Sequence, residues 1–228
     1  MRFTLLAVAL VLPLAAQSSE NKLIDESAKV VRAAMNAGDQ SIPGDIIAKA
    51  QCVGVIPALK KAGFIVGGEY GKGVLVCRTD NGANAGQWSP PAVVKTTGGS
   101  FGLQIGAGET DVVFVVMNRD GESKLMQDKF TFGADAGVMA GPLGRSAQAE
   151  TDAQMHAEIL GYSRSRGVFA GVALNGATMT PDHSEDHVLY GRDVTTSQIL
   201  HGDVPAPTSA TALYDVLNSA GRAPRTGE

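Results

Sequence analysis

The sequence predicts an α+β fold: a large, curved, mainly antiparallel β-sheet, approaching barrel-like closure, between an N-terminal and a C-terminal helix. Three observations predict it. An amphipathic helical segment comes first, a dense series of β-favouring segments fills the middle, and a second amphipathic helix ends the chain. Glycine makes up 28 of 228 residues, against about 7% in ordinary proteins. The excess lies inside the β-like segments, where glycine goes with bulges, bends and close backbone approach.

Taken in order, Met1–Ser18 reads as an export leader. Arg2 gives a positive start, Phe3–Leu14 is apolar but too short to span a bilayer, and Ala16-Gln17-Ser18 offers small residues for cleavage. The expectation is a single domain over 19–228, periplasmic or secreted. Residues 19–37 have helical period, with Leu23, Ile24, Val31 and Met35 in one apolar stripe and Gly38 as a stop. That stripe is expected to be buried, against the sheet or in lipid. Pro43 opens a short helix to about Ala50. Strands are expected at Cys52–Ile56, Gly63–Val66, Val74–Arg78, Ala92–Thr97, Phe101–Ile105 and Asp111–Met117. The last is apolar on both faces after Asp111, as a covered central strand should be. Glu122–Asp128 reads as a short helix, and residues 130–140 alternate with strand period. Met155–Arg166 and Val168–Leu174 complete the β material, and Thr208–Ala220 returns to helix with Leu213, Val216 and Leu217 on one face.

The run GFIVGGEYGKGVLVCRT, residues 63–79, crowds glycines round a lysine. It is not a phosphate loop. The spacing from Gly67 to Gly71-Lys72 is one residue short of G-x-x-x-x-G-K-[ST], and residue 73 is glycine where a magnesium-binding hydroxyl is needed. The expectation is two strands, Gly63–Val66 and Val74–Arg78, joined by a glycine-rich connection.

The net charge is −4, and loss of Arg2 with the leader makes the chain more acidic still. That argues against a nucleic-acid partner and leaves any anionic ligand to a local basic patch. Cys52 and Cys77 are expected to pair in an oxidising compartment; two buried thiols are the alternative. Two cysteines without neighbouring histidines do not suggest zinc. His183-Ser-Glu-Asp-His187 lacks the H-E-x-x-H order and reads as a solvated acidic turn after Pro181. There is no G-x-S-x-G, and His156 with Glu158 has no nucleophile beside it in the sequence. No catalytic residue and no cofactor is expected. Arg164 and Arg166 fall on one strand face, about 7 Å apart, and could fork a phosphate or a carboxylate; pairing with Glu158 or an acid on a neighbouring strand competes.

Several motifs resemble the SYLF-domain family. They are Lys60-Lys61-Ala62-Gly63-Phe64, Gly67-Gly68-Glu69-Tyr70-Gly71-Lys72-Gly73, Trp88-Ser89-Pro90-Pro91, Gly98–Gly106, Phe132–Ala136, Gly141–Arg145, Tyr162–Gly171 and Leu189-Tyr190-Gly191. The resemblance covers about 22–192. It implies a non-catalytic lipid-binding module. Fungal relatives also bind actin, a partner not expected for an exported chain. The expected partner is a phospholipid membrane, bound weakly through a local patch. Candidate headgroup ligands are Lys60, Lys61, Lys72, Arg164 and Arg166. The alternative is a structural or envelope-associated interaction domain without lipid affinity.

Overall fold

The computed structural model describes residues 13–80, 86–144, 157–165, 167–172 and 174–220. Helix α1 (Pro13–Met35) leads through a single 3₁₀ turn into α2 (Gly44–Lys49). Two very long strands follow, β1 (Cys52–Cys77) and β2 (Ala92–Val116), paired antiparallel from Cys52↔Val116 to Leu75↔Ala92. The three short strands expected in each stretch are thus one strand each. The glycine-rich segment at 67–73 is no connection but ladder, with Gly67 opposite Ser100 and Gly71 opposite Thr96.

The glycines matter because β1 folds back on itself. A straight strand of this length would span roughly 80 Å, yet the Cα atoms of Cys52 and Cys77 are 3.9 Å apart. A Cβ on Gly73 would lie 2.2 Å from the Val55 carbonyl oxygen. Only glycine lets the returning half of β1 approach the outgoing half so closely. Irregularities in the ladder at Ile56/Leu59 and Gly63/Ile65 accommodate the bending.

The remaining strands extend the sheet from β2. Their order is β3 (Phe130–Thr131), β7 (Thr178–Pro181), β2, β5 (Ile159–Ser165), β4 (Val138–Ala140), with β1 on β2 and β6 (Val168–Gly171) on β5. Only β4 with β5 is parallel among these pairs. The result is a strongly curled half-barrel with helices at both ends of the chain, as the composition predicts. The period-two pattern at 130–140 resolves into two short strands around a turn. Residues 155, 156 and 166 of the expected strand Met155–Arg166 lie outside the described residues.

Strand alternation gives the sheet two buried faces. Val53, Val55, Val74, Val76, Val93, Val113, Val115, Leu160 and Tyr162 face α1 and the C-terminal helix α6 (Thr211–Ala220). Cys52, Ile56, Leu75, Cys77, Val112, Phe114 and Val116 face the other way, onto Phe130, Phe132, Ile199 and Leu200. Gly54 leaves room there for the Phe114 ring, whose Cζ would be 1.9 Å from a Cβ at that position. The short helix after β2 is α3 (Arg119–Leu125), starting three residues before the expected Glu122 because Asn118 caps it from Gly121 N–H. Two further helices, α4 (His183–Tyr190) and α5 (Thr196–Leu200), and strand β7 were not anticipated. His183–His187 is therefore not a solvated turn: the segment is helical, and Asp186 within it is fully buried.

Candidate functional site

The N-terminal stripe packs on protein. Ile24 and Val31 are buried in the core shared with β1 and α6, and Leu23 and Met35 lie partly buried against it. Cys52 and Cys77 form a disulfide on the opposite face. The Glu122 carboxylate lies within 4.8 Å of both sulfurs, and burial raises its pKa. With the sulfurs bonded to each other, no thiolate pair is offered to a metal.

The four basic candidates among the described residues do not form one patch. Lys72 lies opposite Lys95 in the β1–β2 ladder, and both are held by α4. Lys72 pairs with Glu185, and its ammonium is 3.9 Å from Asp182; Lys95 is 3.2 Å from the same Asp182. The Glu185 pair pushes the Lys72 pKa up. Burial works to raise the Asp182 pKa, but the Ser184 hydroxyl and Lys95 outweigh it and hold this carboxyl below its usual range. Below them Asp186 accepts from the Val93 N–H at 2.8 Å, and burial pushes its carboxyl up to about 7. Glu20 on α1, buried near Glu185, is also shifted upward, mainly by burial. Lys72 is thus a structural cation in an acid-rich contact between sheet and helix. Sequence reasoning missed Lys95 and α4 because their meeting depends on ladder register.

Arg164 lies opposite Asp111 across β5 and β2, with an ion-pair distance of 3.5 Å, and its guanidinium sits 5.6 Å from the centre of the Phe169 ring. The neighbouring-strand acid, not Glu158, is its partner; Glu158 pairs with Lys124 and accepts from Gly137 N–H at 2.6 Å. Arg166 lies outside the described residues.

Lys60 and Lys61 are different. Both are exposed, on the part of the ribbon that leaves the core. Lys61 makes a 3.3 Å contact with Glu69 across the two limbs of β1, and Lys60 lies opposite Glu109. Along 60–70 and 97–110 no described side chain is buried. The structure brings Lys60, Lys61 and Arg164 to the base of this arm, since Asp111 next to Arg164 also accepts from the Ala58 N–H at 3.0 Å.

A second concave feature is a cleft of about 590 Å³ lined by Trp88, Pro90, Val204, Pro205, Tyr214 and Asn218 among others. The Arg78 guanidinium stacks 3.9 Å from the Trp88 ring centre, a cation–π contact. The Tyr214 hydroxyl donates to the Ser89 carbonyl at 2.9 Å. Among the described residues the Trp88 indole N–H has no hydrogen-bond partner.

Residues 97–220, from the arm through β5 to the last helix, match the sequence profile described as "Ysc84: Las17-binding protein actin regulator". The chain belongs to the Ysc84, or SYLF-domain, family. Among relatives, the rat "SH3 domain-containing YSC84-like protein 1" is 32% identical over 200 residues, covering 85% of this chain and 57% of its own length. "LAS seventeen-binding protein 3" of Saccharomyces cerevisiae is 35% identical over 184 residues, 79% of this chain and 39% of that protein. "Protein YSC84" of the same yeast is 33% identical over 202 residues, 85% and 42% respectively. The chain therefore spans about half the length of the curated relatives it matches. The family description names Las17 binding and actin regulation, and one yeast relative is named as a LAS seventeen-binding protein.

Proposed function

We propose that this protein is a non-catalytic module that binds an anionic phospholipid surface, in an exported setting given by the leader-like N-terminus. The observation that carries the reading is the exposed pair Lys60 and Lys61 on a β-ribbon outside both core layers. Lysine presents a point charge on a flexible stem, suited to phosphates whose positions vary. Arg164 nearby adds a third cation, weakened by Asp111. The acidic whole makes attraction local, so binding falls with salt. Each basic side chain close to an anionic membrane is worth about 1 kcal/mol. Lys60→Gln with Lys61→Gln should therefore lower affinity for phosphatidylserine vesicles by about thirtyfold. Arg164→Gln with Arg166→Gln should cost less. If the lysine variant folds and binds like the parent, the headgroup site is misassigned.

A protein-binding role is the second reading. The family description names Las17 binding and actin regulation, and the Trp88–Tyr214 cleft is an aromatic, proline-edged surface of the kind that docks peptides. Indifference of the protein to all vesicles would favour it.

A further inference from the structure

We propose that the folded-over tip of the β1–β2 ribbon is the part of the molecule that enters the interface of an anionic phospholipid bilayer. This rests on the lipid-binding reading above and adds its point of contact. The ladder singles out the tip. Gly63 pairs with Gly106 and Ile65 with Gly102, so Phe64 on one strand and Leu103, Gln104 and Ile105 on the other stand outside the register. Three of these four are large and apolar. Around them the chain carries no charge from Ala62 to Gly68 or from Gly98 to Gly108. Charges resume at the base, with Lys60, Lys61, Glu69 and Glu109. Tyr70, also at the base, is 47% exposed.

That order along the arm, apolar tip and then tyrosine and lysines, is the order of depth at a membrane–water boundary. Aromatic rings with a polar end settle at headgroup level, and lysine stems reach from there to water. Three residues separate Lys61 from Phe64, roughly 10 Å of strand. Interfacial elements sink by about 5–10 Å. The backbone sets the limit. Residues 60–69 and 98–109 pair only with each other in the described ladders. Their outer edges keep backbone N–H and C=O groups that hydrocarbon cannot satisfy, so the tip stops at the interface and does not cross. The tip's apolar character points to a bilayer and not to free phosphate, for which two lysines without a fork make a poor site.

The test places a reporter at the tip. Leu103→Trp is mixed with phosphatidylcholine–phosphatidylserine vesicles whose acyl chains are brominated near the headgroup. Trp88, 7% exposed in the core, is the internal control and should stay unquenched. The added tryptophan should be quenched on binding. Leu103→Asp with Ile105→Asp should reduce vesicle partition by about tenfold or more while the melting temperature holds. Inorganic phosphate at matched ionic strength should not compete. Vesicle binding by Leu103→Trp without quenching overturns the tip contact and leaves the lipid reading standing. Competition by phosphate also overturns it, in favour of a simple anion site. Absence of binding to any vesicle removes the lipid reading and the tip contact together.

Discussion

Asp186 carries a testable electrostatic cost. It is fully buried, with Oδ1 accepting from Val93 N–H and Oδ2 without a hydrogen-bond partner among the described residues. Its carboxyl rises from an ordinary 3.8 to about 7, mainly through burial, with Asp182 and Glu185 adding to it. Between those values the folded state holds a proton that the unfolded chain has released. Stability from this group is therefore full below about pH 4 and declines as pH rises through 7. Asp182 and Glu185, both held below their usual range, act in the opposite sense. The difference between parent and Asp186→Asn isolates the one group. The variant should match the parent near pH 4 and exceed it by about 4 kcal/mol at pH 8, measured by urea unfolding. Equal curves at both pH values would contradict the burial argument. Gly73 gives a second residue-scale prediction. An added methyl meets backbone at Val55, which cannot swing aside, so Gly73→Ala should cost about 1–3 kcal/mol; an unchanged urea midpoint would refute the close approach of the two halves of β1.

Helix α1 decides between packing on protein and packing on lipid. Val31 is 1% exposed in the core, so Val31→Asp should bury a charge without a partner and destabilise by about 3 kcal/mol or more. Thermal melting checks this; a variant that melts like the parent but leaves vesicles would reinstate the helix as the membrane element. At this scale much was legible in advance. The stripe of α1, the apolar face of α6 and the covered strand from Asp111 each follow from periodicity. The continuity of β1 and β2 was not legible, because glycine normally interrupts a strand; here it permits a strand to pack against itself. Helix α4 was hidden by polarity: His183, Ser184, Glu185 and Asp186 look solvated, yet its first turn and its N-cap Asp182 bind Lys72, Lys95 and Val93. The same contact explains why Lys72 looked like a ligand and is instead a structural cation.

For the whole molecule, the curl of the half-barrel and the disulfide describe one constraint. Cys52 and Cys77 lie 25 residues apart in sequence and close the ends of the bent strand. A cross-link round a loop of this size is worth about 3 kcal/mol through the unfolded chain. Cys52→Ala with Cys77→Ala should lower stability by about that amount in urea unfolding, with the half-barrel kept by its two core faces; no loss would mean the strand ends are held by packing alone. The curl also leaves the described residues of the ribbon arm outside both cores, with Lys60 and Lys61 at its base. Flotation of the parent protein with vesicles, at low and at physiological salt, tests that central claim most directly. Co-flotation with phosphatidylserine-containing vesicles that weakens as salt rises is expected, with little co-flotation with pure phosphatidylcholine. Protein remaining at the bottom of the gradient with every vesicle, at both salt concentrations, would contradict it.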